Sequence, residues 1–270
     1  MNDLNNFMQW FLSKNIVIQD AEIDQSIMNE GAVAYRCEKN KKYTFNHQLL
    51  TSFQKIYIFL DQEASVVFQI NDLEQPNILD IEYVIVLESK SQLVLHFVLL
   101  YSLKMNIKIT IYAQGEESVV SILGLYALDK KQEVVIETGQ YHLGKKSKTN
   151  LLFHGILKNS ASIRYQGLIS VDLAACGTYA SQFHKNMVIG PHTRVVSIPS
   201  IQVLPQDAKC YHGVTIGDID EIALWYLQTK GFSSKMAKRC LIKSFFHEVT
   251  QGIKDKDEVM DRLCKKMILM

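Results

Sequence analysis

Short runs rich in β-branched and aromatic residues recur between residues 32 and 203, and turn-prone clusters such as Gln114-Gly-Glu-Glu separate them. No stretch in this region has an amphipathic pattern long enough for the crossover helix of a βαβ unit. The pattern therefore predicts a mainly β fold. The expected strands cover residues 55–60, 65–70, 82–87, 93–100, 107–112, 133–137, 150–157, 162–169 and 194–203.

Short strands alone do not distinguish a sandwich, a barrel and a solenoid. Their roughly regular spacing fits a solenoid, in which each coil buries its inward residues against its neighbours. Before this region, apolar residues at positions 4, 7, 8, 11 and 12 have helical spacing, which predicts a short amphipathic helix over residues 4–13.

The sequence after Gly217 predicts three helices. Asp218, Asp220 and Glu221 crowd the first turn of a helix over residues 219–229, where the helix dipole favours negative charge. A second helix follows after the Ser233-Ser234 pair, either of which can cap it, and a third covers residues 255–267.

These helices are too short to form a core of their own, so we expect them to pack on the end of the β-structure or on a partner protein. The expected buried faces are Ala237, Leu241, Ile242, Phe245 and Val249 in the second helix, and Val259, Leu263 and Met267 in the third.

The composition excludes several classes of function. Lys and Arg total 29 and Asp and Glu total 28, so the basic surplus typical of a nucleic-acid-binding protein is missing. The longest apolar run, residues 93–101, is far shorter than the roughly 20 residues of a membrane span. The five cysteines are scattered without a Cys-x-x-Cys pair, and the N-terminus lacks a basic signal region. We therefore expect a cytoplasmic protein without disulfide bonds.

One segment resembles a phosphate-binding P-loop. Residues 139–147 read Gly-Gln-Tyr-His-Leu-Gly-Lys-Lys-Ser, but Lys146 occupies the position of the magnesium-binding hydroxyl and Ser147 comes one residue late. The following residues predict a strand, whereas a P-loop needs the N-terminus of a helix to hold the phosphate. We expect this chain to bind no nucleotide.

A thiol and an imidazole lie two residues apart at the junction between the β region and the helices. In an extended segment, the side chains of Cys210 and His212 point to the same face. Both groups suit a transition metal, but together they supply only half of a coordination sphere. Cys176 and His184 are most simply explained by packing in the last coils, and Cys240 and Cys264 by core or surface positions on the helices.

The residues around this pair resemble the SufB/SufD family of iron–sulfur cluster assembly scaffolds. The match covers about residues 141–249 and is clearest in Pro199-Ser-Ile-Gln-Val, in Asp207-Ala-Lys-Cys-Tyr-His-Gly-Val-Thr-Ile-Gly217 and in the acidic helix that ends in Tyr226-Leu-Gln-Thr-Lys-Gly231. The Cys-x-His-Gly form looks like the SufD branch. The resemblance implies a right-handed parallel β-helix over residues 32–216, preceded by a short N-terminal helical segment (1–31) and followed by a C-terminal helical domain (217–270).

The resemblance also implies a function. A SufD-like scaffold pairs with a SufB-like subunit or with a second copy, recruits the ATPase SufC, and helps to form a transient iron–sulfur cluster at the shared interface. The role in cluster formation falls on Cys210 and His212. Docking of SufC falls on the C-terminal helices, where Trp225, Phe246 and His247 look exposed. The residues expected to bind partners are Trp225, Lys238, Leu241, Ile242, Phe245, Phe246 and His247.

The sequence departs from the family pattern at a few positions. Gln202 replaces a Glu, Ala208 a Val and Val214 an Ala, and the helix ends in Thr-Lys-Gly instead of Ser-Arg-Gly. Two alternatives stay open: an adaptor that recruits SufC without touching the cluster, and a β-helix enzyme acting on carbohydrate. The latter needs clustered carboxylates, and Asp172 is the one acid between Ser147 and Ser200.

Overall fold

A computed structural model describes residues 32–49, 53–72 and 78–268. The predicted helix over residues 4–13 lies outside the described residues. The chain first forms fourteen strands: β1 (Ala32–Cys37), β2 (Lys42–Leu49), β3 (Phe53–Leu60), β4 (Ser65–Asp72), β5 (Ile78–Leu87), β6 (Gln92–Leu99), β7 (Lys104–Ala113), β8 (Val119–Leu128), β9 (Glu133–His142), β10 (Lys148–Lys158), β11 (Ser162–Val171), β12 (Tyr179–Ile189), β13 (Arg194–Val203) and β14 (Lys209–Gly217).

The strands form two seven-stranded sheets. Odd-numbered strands pair in chain order in one sheet, the odd sheet, and even-numbered strands pair in chain order in the other, the even sheet. Neighbours within each sheet are parallel and in continuous register. The chain thus crosses from one sheet to the other after every strand, which confirms the predicted parallel β-solenoid.

The strand ranges predicted from the sequence do not include β1, β2, β8, β12 or β14. Gly124 interrupts the apolar pattern of β8, because the ring of Phe153 from the neighbouring strand fills the space of its side chain. A Cβ at Gly124 would lie 2.0 Å from Phe153 Cδ1. Inward-facing polar residues obscure the alternation of β12.

The space between the two sheets, called the lumen here, holds the main hydrophobic core. Side chains in register form columns along the solenoid axis, such as Phe68, Leu95, Ile122 and Leu151 on four successive even strands. All four are buried. Because successive strands lie about 4.8 Å apart, each side chain packs on those directly above and below it.

Three helices follow the strands: α1 (Glu221–Thr229), α2 (Ser234–Phe246) and α3 (Lys256–Ile268). The Asp220 carboxylate caps α1 by accepting hydrogen bonds from the backbone N–H groups of Ile222 and Ala223. Ser233 caps α2 through the N–H of Met236, which decides between the two predicted capping serines. None of the helices among the described residues is long and apolar enough to cross a membrane.

Helices α2 and α3 lie against the outer face of the even sheet. The expectation that they pack on the end of the solenoid or on a partner is wrong. The helices pack here because the outward-facing residues of β6, β8 and β10 are apolar. The even sheet therefore has two apolar faces, and the helices shield the outer one from water. The cluster includes Val98, Leu125, Leu152 and Ile156 from the sheet and Ile242, Phe246, Met260 and Leu263 from the helices.

Phe246 is fully buried in this cluster, so its expected exposure is wrong. Its ring packs beside His154 and Phe245, with ring centroids 6.4 and 5.0 Å away. The other predicted faces agree largely with the structure. Ala237, Ile242, Val249, Leu263 and Met267 are buried, while Leu241, Phe245 and Val259 are half-buried.

Candidate functional site

The solenoid ends in an open coil formed by β13 and β14, called the terminal coil here. These two strands are the last members of the odd and even sheets, so each has one edge that no described strand pairs with. Four aliphatic residues in register with the lumen columns remain 36–49% exposed at this end, whereas equivalent residues deeper in the lumen are buried. They are Ile201, Val203, Val214 and Ile216.

Cys210 and His212 both lie on β14 in the terminal coil. Their Cα register partners on β12 are Ala180 and Gln182, which are buried in the lumen. Because alternate residues of a strand share a face, Cys210 and His212 point to the lumen side, with Cα atoms about 7 Å apart. His212 is exposed and Cys210 is half-buried. The predicted shared face therefore agrees with the strand geometry.

The Cys210 thiol packs beside Ala180, Ile169 and Val171. Burial raises its pKa, and a hydrogen bond from the Ala180 backbone N–H lowers it to a smaller extent. The thiol is therefore protonated at neutral pH in the unpaired chain. A metal would have to displace this proton, since the thiolate is the form that binds metal.

The described residues contain no group of three or more His, Cys, Asp and Glu side chains arranged to hold a metal. Cys210 and His212 thus offer two donors, and any further ligands must come from outside this part of the chain. Two donors are fewer than the four ligands of a closed structural metal site.

The lumen beneath the terminal coil is polar, which the sequence did not predict. On β12, the inward positions are occupied by Gln182, His184 and Asn186, all buried. Burial lowers the pKa of His184 to about 3, so its imidazole is neutral. Three polar residues at period two within a strand, flanked by apolar strands, are the sequence signal that could have revealed this region.

The structure places His184 and Cys176, both predicted to be packed, in different environments. His184 is packed inside the lumen, as expected. Cys176 lies exposed in the turn between β11 and β12, so the packing explanation is wrong for it. The reason is that the turn projects the residue outward, with its sulfur 3.8 Å from the carbonyl oxygen of Leu173. Of the helical thiols, Cys264 is buried and Cys240 is half-buried.

The segment that resembles a P-loop is a corner of the solenoid. It joins β9 directly to β10, so no helix N-terminus follows it. The Ser147 hydroxyl points inside, where it donates to the carbonyl of Gly144 (3.0 Å) and contacts His142 Nδ1 (2.7 Å). Both interactions hold the Ser147 hydroxyl inside the solenoid, where it does not face a phosphate-binding site.

The residues predicted to bind partners divide into two groups. Trp225 is 65% exposed on α1, a helix in which no residue is buried. His247 is exposed, and Lys238, Leu241 and Phe245 are half-buried. Ile242 and Phe246 are buried and hold α2 on the even sheet. Trp225, Lys238, Leu241 and His247 therefore lie on the solvent side of the helical tail, whereas the Phe245 ring stacks on His154 of the even sheet, with ring centroids 4.8 Å apart.

Comparison with known proteins identifies the family. Residues 26–245 match the family model "SUF system FeS cluster assembly, SufBD core domain". The chain belongs to this family.

Several relatives carry SufD names. Over 157 residues the chain is 28% identical to the iron-sulfur cluster assembly protein SufD of Escherichia coli, covering 57% of this chain and 37% of that protein. It is 29% identical to SufD of Bacillus subtilis, covering 42% and 26%. It is 30% identical to the chloroplastic protein ABCI7 of Arabidopsis thaliana, covering 38% and 22%. The matches thus span less than two-fifths of these relatives.

Proposed function

We propose that this chain is a SufD-like scaffold subunit on which an iron–sulfur cluster is formed at the interface between its terminal coil and a partner. The observation that carries the proposal is the coincidence of three features at one end of the solenoid. These are two unpaired strand edges, an exposed apolar rim, and the Cys210/His212 pair on the lumen side.

Pairing at the terminal coil has a physical basis. No described strand pairs with the outer edges of β13 and β14, so their backbone N–H and C=O groups can extend both sheets by hydrogen bonding to a second solenoid. Contact would also remove Ile201, Val203, Val214 and Ile216 from water. A SufB-like subunit or a second copy of this chain would present a similar end.

The chemistry of the pair fits cluster assembly. A thiolate and an imidazole bind iron well, and iron–sulfur clusters are held mainly by such soft ligands. The cluster is cargo in this proposal: Cys210 and His212 supply two ligands, and the partner and bound sulfide supply the others. An incomplete ligand set would also allow the cluster to leave. The chain performs no catalysis itself in this proposal.

Recruitment of a SufC-like ATPase is assigned to the helical tail. Helix α1 packs on α2 and buries none of its own residues, which leaves Trp225 available as an anchor. Large aromatic side chains commonly dominate interface energetics. Lys238, Leu241 and His247 extend the surface along α2, and the buried Ile242 and Phe246 support it from beneath. Phe245 is half-buried between the two groups.

The adaptor alternative keeps ATPase recruitment but removes the cluster contact. It is favoured by the raised pKa of Cys210 and by the presence of only two donors at the site. We assign the protein to the cytoplasm, because five free cysteines are compatible with a reducing compartment.

Cluster formation in the reconstituted complex tests the proposal. Under anaerobic conditions, the visible absorbance of the bound cluster should fall by most of its amplitude in His212→Ala and by a smaller fraction in Cys210→Ala. Thr215→Ala is the matched control, because Thr215 is exposed on the opposite face of the same strand. Wild-type absorbance in both variants would favour the adaptor.

A further inference from the structure

One column of lumen residues changes its chemistry just below the terminal coil. Along the even sheet it contains Leu95, Ile122 and Leu151, then Gln182 and finally His212. The neighbouring strands of a sheet lie about 4.8 Å apart, so Gln182 is the side chain directly beneath His212. It is also buried. A buried amide here replaces the aliphatic residue that the rest of the column would predict.

Two hydrogen bonds fix the Gln182 amide. Its Oε1 accepts from the Tyr165 hydroxyl at 3.2 Å, and its Nε2 donates to the backbone carbonyl of Ser200 at 3.1 Å. Since the Tyr165 hydroxyl uses its hydrogen on Gln182, it accepts from the Thr138 hydroxyl at 3.0 Å. The chain of bonds crosses the lumen from the odd sheet to β12 and returns to β13 in the terminal coil.

The backbone makes room for this arrangement at Gly167. A Cβ on Gly167 would point into the lumen, 2.4 Å from Gln182 Oε1 and 2.5 Å from the Tyr165 hydroxyl oxygen. These distances are far inside van der Waals contact, so any side chain at this position would displace the amide. The space for Gln182 is thus built into β11.

A second cross-lumen connection lies beside the first. Tyr126 donates its hydroxyl hydrogen to Asn186 Oδ1, so His184 Nε2 donates to the Tyr126 oxygen at 2.6 Å. His184 Nδ1 then accepts from the Ser197 hydroxyl at 3.0 Å. Gln182 and His184 therefore both connect β12 to β13, the odd-sheet strand of the terminal coil.

We propose that Gln182 is a positioning residue for His212, with Tyr165 and Gly167 holding its amide in place. No described coil lies above the terminal coil, so the side chains beneath His212 are what sets the position of its ring before a partner arrives. Side chains that are fixed by hydrogen bonds restrict the orientation of the His212 ring more than mobile aliphatic side chains would. This inference rests on the proposed function, because it assigns Gln182 a part in cluster formation through His212.

Gln182→Met tests the inference, since methionine keeps the length of the side chain and removes both hydrogen bonds. The first measurement is the imidazole NMR signals of His212 in the unpaired protein, assigned by their loss in His212→Ala. We expect these signals to shift and broaden in Gln182→Met. The signals of His192, exposed in the turn before β13, should stay unchanged. Ser181→Ala, on the opposite face of β12, is the matched control.

The second measurement is the amount of cluster assembled with the partner. Changing a residue that orients a metal ligand commonly lowers metal affinity by about 10-fold, so we expect half-maximal assembly in Gln182→Met to need about 10-fold more iron than in the wild type. Unchanged His212 signals would overturn the inference, as would full cluster assembly in Gln182→Met under conditions in which His212→Ala loses its cluster. Failure of the proposed function looks different: His212→Ala would assemble a full cluster, while Gln182→Met would still shift the His212 signals.

Discussion

The lumen beneath the first coils and the lumen beneath the terminal coil follow the same backbone geometry but contain different side chains. From β4 to β8 the columns are mainly aliphatic and aromatic, with Phe68, Leu95 and Ile122 in one of them, whereas on β9 buried polar side chains such as Gln140 and His142 mark the change. Around β12 the same inward positions hold Gln182, His184 and Asn186. The apolar region stabilises the fold by stacking, whereas the polar region fixes the position of particular side chains near the open end.

The largest expected effect is on stability and separates the two regions. Phe153 is fully buried, and its ring occupies the space beside Gly124, so Phe153→Ala leaves a cavity that the backbone cannot close. We expect a loss of about 3–5 kcal/mol in the free energy of unfolding. Val214→Ala in the terminal coil should cost less than about 1 kcal/mol, because that residue is already 39% exposed. Denaturant unfolding of both variants measures the difference; equal losses would contradict it.

The next effect is a dependence of stability on pH that originates in the polar lumen. Burial lowers the pKa of His142 from its ordinary 6.5 to about 4 and that of His184 to about 3. Below pH 6.5 the unfolded chain takes up protons at these residues while the folded chain does not. The contribution of these two residues to the free energy of unfolding should therefore be fully present above pH 6.5. It should be lost as the pH drops toward 4, by at most about 1.4 kcal/mol per pH unit for each residue.

Histidine variants test which residues cause this pH dependence of the free energy of unfolding. His142→Gln combined with His184→Gln should make the acid side of the profile less steep, measured by denaturant unfolding between pH 4 and 7; His96 and His154, whose pKa burial also lowers, supply the remaining slope. His192→Gln is the control, because His192 is exposed in a turn and should leave the slope as it is. A profile that stays equally steep in the double variant would assign the acid sensitivity to other groups.

The smallest effect on stability is expected in the helical tail. Trp225→Ala should change the free energy of unfolding by less than about 0.5 kcal/mol, because no residue of α1 is buried. It should nevertheless weaken capture of a SufC-like ATPase by the full-length chain in a pull-down assay. Tyr179→Ala, which removes an exposed aromatic ring from β12, serves as the control. If Trp225→Ala and Tyr179→Ala captured the ATPase equally well, the docking surface would lie outside α1.

The sequence predicted the solenoid well because its strands alternate strongly and its turns are polar. It missed β8, where Gly124 makes room for the ring of Phe153, and it missed β12, where the inward residues are polar. Both depend on neighbouring coils, which a local pattern does not contain. The placement of α2 was wrong for a related reason: the helical spacing identifies an apolar face but does not say which surface covers it.

The candidate site divides in the same way. The alternation of a strand was enough to place Cys210 and His212 on one face. Phe246 was misassigned, because the sequence does not show that the outer face of the even sheet is also apolar. The connection from Thr138 through Tyr165 to Gln182 joins three strands and was not visible in any single segment.

The central claim is that the cluster forms where two terminal coils meet, and Val214→Lys tests it most directly. A lysine among the exposed aliphatic residues at this end would place a charge in the paired interface without disturbing the buried lumen. The measurement follows complex mass and cluster absorbance together, with Thr215→Ala, on the outer face of the same strand, as the control that should retain both. We predict that Val214→Lys loses pairing and cluster in parallel; a full cluster on an unpaired Val214→Lys chain would contradict the account.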